Sequence, residues 1–318
     1  MNIKSLLISA SLFVVAGCGG NSRKAESFTA LPFPDVVPPA MMADPASIAE
    51  YMAEYWWDKI TDPKREFPCD TSLVSGVSRS DVEQKFANWT NLLGMVDMNV
   101  AEKAMSRLYS RVSACEKKDT SSNGFETFTD LVTKYLYDPN SPLRNEDHYA
   151  LYASHLAKSG LIEPVMREKY AREVRLAVMN KVGTKAADFR FTDKRGRTYT
   201  LYGIDSELTL LFFSNPGCGA CKEIIDVLSN DPVISGLIAN GTMKVLNIYI
   251  DEDLEAWRSY MPIYPETWYN GFDPDLVIRG ETLYNVRAIP SLYLLDREKT
   301  VIMKDAPEPR LFDWLSRY

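Results

Sequence analysis

Two different spacings of apolar residues divide the chain. From about Asp44 to Val182 they recur at helical intervals: Ile48, Met52, Tyr55 and Trp56; Val82, Phe86, Trp89, Leu93 and Val96; Ala101, Ala104, Leu108, Val112 and Cys115; Phe125, Phe128, Leu131, Val132 and Tyr135. Residues so spaced share one face of a helix and bury it against neighbouring helices, which predicts an all-α helical domain over residues 43–182. Asp81 and Pro164 mark helix starts, whereas Gly160 and the Asp138-Pro139-Asn140 turn mark stops. The polar stretch from Lys117 to Gly124 reads as an exposed connection.

At about Gly183 the period shortens. Phe189 to Thr192 and Thr198 to Leu201 flank a turn at Asp193 to Arg197 and predict a hairpin. Leu208 to Phe213 is an unbroken apolar run, the pattern of a parallel strand covered on both faces. A helix is expected from about Cys218, a strand over Lys244 to Ile250 and a helix over Asp253 to Tyr260. Strands over Ser291 to Leu295 and Thr300 to Met303 follow, then a closing helix over Arg310 to Arg317. That order predicts an α/β domain over residues 183–318, a sheet flanked by helices.

The beginning of the chain follows neither pattern. Met1 to Lys4 is a short basic start and Ser5 to Val15 an apolar run too short to span a bilayer, so residues 1–17 read as a signal peptide. Val15, Ala16 and Gly17 ahead of Cys18 resemble the bacterial lipoprotein cleavage box, which implies acylation of Cys18 and anchoring by lipid alone. Residues 18–42, with Pro32, Pro34, Pro38 and Pro39, then read as a lipidated tether. The expected location is the cell envelope, facing the periplasm.

Composition narrows the chemistry. The 318 residues carry 36 Lys+Arg against 43 Asp+Glu, a formal charge of −7, which argues against a phosphate-neutralising surface and hence against nucleic acid. With two histidines, His148 and His155, metal sites and histidine-activated nucleophiles have little to build on, and no metal or cofactor is expected. The two fall on one helix face with Tyr152 and read as a surface or half-buried cluster. Asp251, Glu252 and Asp253 read as a solvated helix start.

Five cysteines remain. Cys218-Gly219-Ala220-Cys221 directly follows the buried strand and the turn Ser214 to Gly217, which places the first thiol at the amino end of a helix. Unpaired amides and the helix dipole there favour thiolate, lowering a cysteine pKa from about 8.5 into a range of roughly 3.5 to 7.5. Cys218 is read as the nucleophile, and Cys221, one turn on, as the resolving thiol. Two cysteines at this spacing also suit half of a zinc site or a structural disulfide, but the other candidate ligands lie in the other domain, and so short a disulfide is labile.

The run Leu210 to Lys222, the later Tyr284 to Leu292 and the hairpin ahead of them resemble the bacterial membrane-anchored, extracytoplasmic thioredoxin-like proteins of the thiol-disulfide oxidoreductase type. The resemblance covers about residues 183–318 and implies a thioredoxin-like central mixed sheet. It further implies a cis peptide bond before Pro290, with the backbone of Ile289 pairing to the substrate chain beside Gly219 and Ala220. Exported protein thiols or disulfides are the implied partners, with a membrane electron donor. Residues 262–281, with Tyr264, Trp268, Tyr269 and Phe272, resemble the segment such proteins insert between strands; its aromatics are read as packing the insertion onto the sheet, with the lining of a substrate groove as the alternative.

The chain departs from that pattern in three places. Gly217 stands where thioredoxins usually have tryptophan, Phe212 where they bury an acid, and Ile224 where many anchored relatives have glutamate, so the usual proton acceptor for Cys221 is missing. No cationic residue lies between the cysteines, which favours a reductant or isomerase over a strong oxidant. The helical domain resembles an uncharacterised module found ahead of thioredoxin-like domains in bacterial lipoproteins. Its Cys69 and Cys115 are expected to pair in an oxidising compartment, closing a loop of about 47 residues worth about 4 kcal/mol, or else to be buried free thiols. Two other functions stay open. One is a thiol peroxidase, disfavoured because Asn215 stands where its threonine belongs; the other is a non-enzymatic adaptor that uses the helical domain for partner binding.

Overall fold

The computed structural model describes residues 29–67 and 72–318. The expected signal peptide, the lipidation at Cys18 and the thiol of Cys69 lie outside those residues.

The N-terminal region is helical. It contains α1 (Pro45–Tyr55), a small hairpin β1 (Leu73–Val74) and β2 (Val77–Ser78), α2 (Arg79–Leu93), α3 (Met98–Lys118), α4 (Gly124–Val132), α5 (Glu146–Leu156) and α6 (Pro164–Ala177). Side chains cap the starts: Asp44 accepts from the Ser47 amide at 2.8 Å, Ser78 from Asp81 at 3.1 Å and Asn145 from His148 at 3.0 Å. The helical stripes meet in one core, where Trp57 packs edge-on against Trp89 at 5.7 Å and Phe128 at 4.8 Å. Such ring pairs add about 1 kcal/mol each beyond the area they bury.

Two details correct the expectation of a purely helical region preceded by a free tether. Strands β1 and β2 are two residues each, too short to show an alternation, and their turn uses positive φ at Ser75 and Gly76. Leu31, expected in the tether, bridges to Val77 and donates its amide to Gly76 O at 2.8 Å. Phe33 packs against Trp57 at 5.7 Å. Both are apolar residues that gain more from burial than from solvation.

The C-terminal region runs β3 (Arg190–Asp193), β4 (Thr198–Thr200), β5 (Leu208–Phe213), α7 (Gly219–Asn230), α8 (Pro232–Ala239), β6 (Met243–Tyr249), α9 (Leu254–Tyr260), β7 (Tyr269–Phe272), α10 (Val277–Gly280), β8 (Ser291–Leu295), β9 (Val301–Met303) and α11 (Glu308–Leu315). The strands form one mixed sheet in the order β4-β3-β7-β6-β5-β8-β9. Every residue of the central β5 is buried, as its apolar run requires, between parallel β6 and antiparallel β8. The fold is thioredoxin-like, a mixed sheet flanked by helices behind a helical N-terminal region. The insertion at residues 262–281 supplies β7, which joins β6 in parallel and β3 antiparallel. Tyr264 and Trp268 are buried, and with Tyr269 they also line a cleft of about 380 Å³ beside the β3–β4 hairpin, so these aromatics both pack and border a groove.

Candidate active site

Cys218 is the N-cap of α7, reached through the turn Ser214 to Gly217 that leaves the end of β5. Gly217 has φ +74°, a left-handed conformation that costs a side-chain-bearing residue energy and suits the glycine found there. The Cys218 sulfur accepts the amide hydrogen of Cys221 at 3.1 Å and is bonded to the Cys221 sulfur, with Cα atoms 5.2 Å apart. Cys218 is half-buried and Gly219 and Ala220 are exposed, whereas Cys221 is 1% exposed. The structure thus separates an accessible sulfur from an enclosed one.

The Ile289–Pro290 bond is cis. Ser291, the first residue of β8, pairs with Phe213, the last of β5, so the strand register brings the Ile289–Pro290 segment beside the turn that leads to Cys218. Ile289 and Cys218 both pack against the apolar cluster that encloses Cys221, Phe212, Ile224 and Leu292. The residue types at Phe212 and Ile224 leave no carboxylate at the positions where the resemblance would put one. Lys222 points along the helix to Asp226, 2.6 Å away, which holds its ammonium above the usual lysine range.

Beneath the turn lies a polar chain that sequence reasoning missed. Ser214 Oγ donates to Asn247 Oδ1 at 2.5 Å and lies 3.3 Å from the Tyr264 hydroxyl. Asn247 Nδ2 donates to Asn270 Oδ1 at 3.0 Å, and Asn270 Nδ2 to Pro265 O at 2.8 Å. Burial pushes the Tyr264 hydroxyl above the usual phenol range. The signal for this chain was an asparagine between Leu246 and Ile248 in a strand otherwise almost wholly apolar. Asn215 Nδ2 donates to Asp251 Oδ2 at 2.7 Å, and Asp251 is also paired with Arg279. Of the acidic triplet, only Asp253 caps a helix, accepting from the Ala256 amide at 3.0 Å.

The remaining candidates lie elsewhere. Cys115 is a half-buried free thiol on α3 whose Sγ donates to Thr61 O at 3.4 Å, and burial raises its pKa. His155 Nε2 is 2.9 Å from Ser106 Oγ and its ring stacks on Tyr109. His148 is 4% exposed, buried more deeply than expected because α5 lies between the helical core and the sheet region. Among the described residues no helix is long and apolar enough to cross a membrane.

Comparison with known proteins extends the picture. The family model described as a domain of unknown function, DUF5106, matches residues 19–180. No curated protein matches the sequence. A crystal structure of a thioredoxin-like protein from Bacteroides caccae is 35% identical, covering 91% of this chain and 100% of that one, with a TM-score of 0.77. The C-terminal domain of an uncharacterized protein from Bacteroides fragilis is 46% identical over 44% of this chain and 99% of its own, with a TM-score of 0.43. A domain of a possible thiol-disulfide isomerase from Cytophaga hutchinsonii is 28% identical over 43% of this chain and 92% of its own, with a TM-score of 0.37. Because one model matches half the chain and one solved relative aligns across both of its regions, the chain belongs to the DUF5106 family, in the two-part form that carries a thioredoxin-like fold behind the helical region.

Proposed function

We propose that this chain is an extracytoplasmic thiol-disulfide oxidoreductase, tethered through lipid on Cys18, that exchanges disulfides with cysteines of exported proteins. The observation that carries the reading is the asymmetry of the pair: Cys218 at a helix start and half-buried, Cys221 closed in beside it. Reduced Cys218 attacks one sulfur of a client disulfide as thiolate, forms a mixed disulfide and expels the other client sulfur as a thiolate that takes a proton. Cys221 then gives up its proton, attacks Cys218 Sγ and expels the second client sulfur. Two electrons and two protons pass to the client, and the enzyme is left with the Cys218–Cys221 disulfide, which a membrane donor must reduce again.

Water serves as proton acceptor for Cys221 in this scheme, because Phe212 and Ile224 cannot. The Ile289–Pro290 segment receives the client backbone, and the exposed Gly219 and Ala220 leave room for it. With no cation between the cysteines to stabilise the thiolate further, the pair works as a reductant or isomerase rather than a strong oxidant. Insulin reduction by wild type and Cys218→Ser protein tests the reading: loss of activity in the variant supports it and undiminished activity overturns it. Mixed disulfides trapped in cells on a Cys221→Ser variant identify the clients.

A further inference from the structure

The segment that leads into the cis-proline is held by side chains rather than by a strand ladder. Among the described residues, the amides of Arg287, Ala288 and Ile289 donate no backbone hydrogen bond within the fold. Arg287 instead lies against Glu146 at the start of α5, with its Nε 2.7 Å from Glu146 Oε1, and donates through Nη2 to Asp305 Oδ2 at 2.9 Å. Its guanidinium also covers the Tyr137 ring at 4.5 Å. Glu146, whose side chain is 1% exposed, accepts from Asn285 Nδ2 at 2.6 Å and lies 2.9 Å from Lys304 Nζ. Asp305 takes Ser291 Oγ at 2.9 Å on the far side of the proline, and Arg144 of the helical region donates to Asp305 O at 3.0 Å and Ala306 O at 3.1 Å. Residues on both sides of Ile289–Pro290 are therefore fastened to one ion cluster, and two of its members, Arg144 and Glu146, come from the helical region.

We propose that Glu146 is a positioning residue for substrate: by holding Arg287 and Asn285 it fixes the backbone entering Ile289–Pro290, so that the helical region sets the affinity of the redox site for a client chain. This rests on the functional reading above. A pre-formed edge spares the client the cost of ordering it on binding, and the unpaired Ile289 amide is left free to donate to the client. None of these side-chain bonds reaches either sulfur, so the expected effect is on client affinity rather than on thiol chemistry.

Glu146→Gln tests this in the full chain, because glutamine keeps the shape and an acceptor for Asn285 while removing the charge that holds Arg287. Three quantities are read with insulin as substrate: KM, kcat and the Cys218–Cys221 potential in glutathione buffers. Backbone hydrogen exchange in the segment leading to the proline is read on the same protein at Val286, whose amide donates to Tyr284 O at 3.0 Å, and circular dichroism confirms that the variant is folded. The expected result is a KM about tenfold higher with kcat and potential unchanged, and exchange over that segment about tenfold faster. Unchanged KM in the folded variant, or a shifted potential, overturns the proposal, as does unchanged exchange. Should Glu146→Gln not fold, Asn285→Ala, which frees one of the two groups Glu146 holds, is read in the same way. A wild-type chain that reduces no disulfide overturns the functional reading and the affinity claim with it, whereas exchange that responds as expected upholds the clamp itself.

Discussion

The sulfur of Cys218 accepts a hydrogen bond from the Cys221 amide at 3.1 Å, although the two residues are also joined through their sulfurs. The helix start therefore offers the Cys218 sulfur an N–H donor, and such a donor is worth more to a thiolate than to a thiol. Reduced protein is expected to react with iodoacetamide at Cys218 roughly tenfold faster than free cysteine at pH 7, while the enclosed Cys221 stays unmodified. Peptide mapping after timed alkylation reads both rates. Equal rates for Cys218 and free cysteine would remove the physical basis of the proposed chemistry.

Asn247 is the middle member of the polar chain under the active-site turn, accepting from Ser214 and donating to Asn270. Asn247→Leu keeps the approximate volume, strands Asn270 Oδ1 and leaves the Ser214 hydroxyl only its 3.3 Å contact with Tyr264. One orphaned group and one weakened bond predict a loss of about 2 kcal/mol in urea unfolding. A change below about 1 kcal/mol would mean that water takes over both partners.

Gly271 in β7 has no room for a side chain. A Cβ there would lie 2.6 Å from Phe191 Cδ2 and 3.0 Å from the Thr192 carbonyl oxygen. Gly271→Ala is expected to cost about 1 to 3 kcal/mol, because the β3–β7 pairing must open to admit the methyl group. Gly219→Ala, where a Cβ meets nothing within 4 Å, is expected to leave stability within about 1 kcal/mol. Melting temperatures of the two variants separate the cases, and a Gly271→Ala protein as stable as wild type would contradict the crowding.

Why some of this could be read in the sequence and some could not follows from range and pattern. Leu208 to Phe213 shows its burial because six consecutive apolar residues fit few places other than a central strand, and the Cys-Gly-Ala-Cys site comes next in the chain. The hairpin Arg190 to Thr200 is likewise local. Strand β7 is not legible, since Tyr269-Asn270-Gly271-Phe272 puts two poor strand formers at its centre and owes its conformation to the strands on either side. The cluster of Glu146, Arg287, Lys304 and Asp305 is harder still. Glu146 is far in sequence from Arg287 and from the adjacent Lys304 and Asp305, and all four are of common types, so only the packing of α5 against the sheet region brings them together.

His148 gives the last expectation, a dependence of stability on pH. Burial, with Arg310 adding to it, lowers its pKa from 6.5 to about 4. Between those values the unfolded chain binds a proton that the folded chain does not, so stability falls as pH drops through the window, by about 3 kcal/mol at its lower end. Glu146 and Asp147 act with the opposite sign, because burial raises their pKa values and the folded chain holds their protons more tightly. The quantity to read is therefore the difference between wild type and His148→Asn in urea unfolding at pH 7.5 and pH 4.5. The variant, which has no imidazole to charge, is expected to lose about 2 to 3 kcal/mol less than wild type over that interval. Parallel losses in the two proteins would show that the imidazole takes up its proton in the folded chain as readily as in the unfolded one.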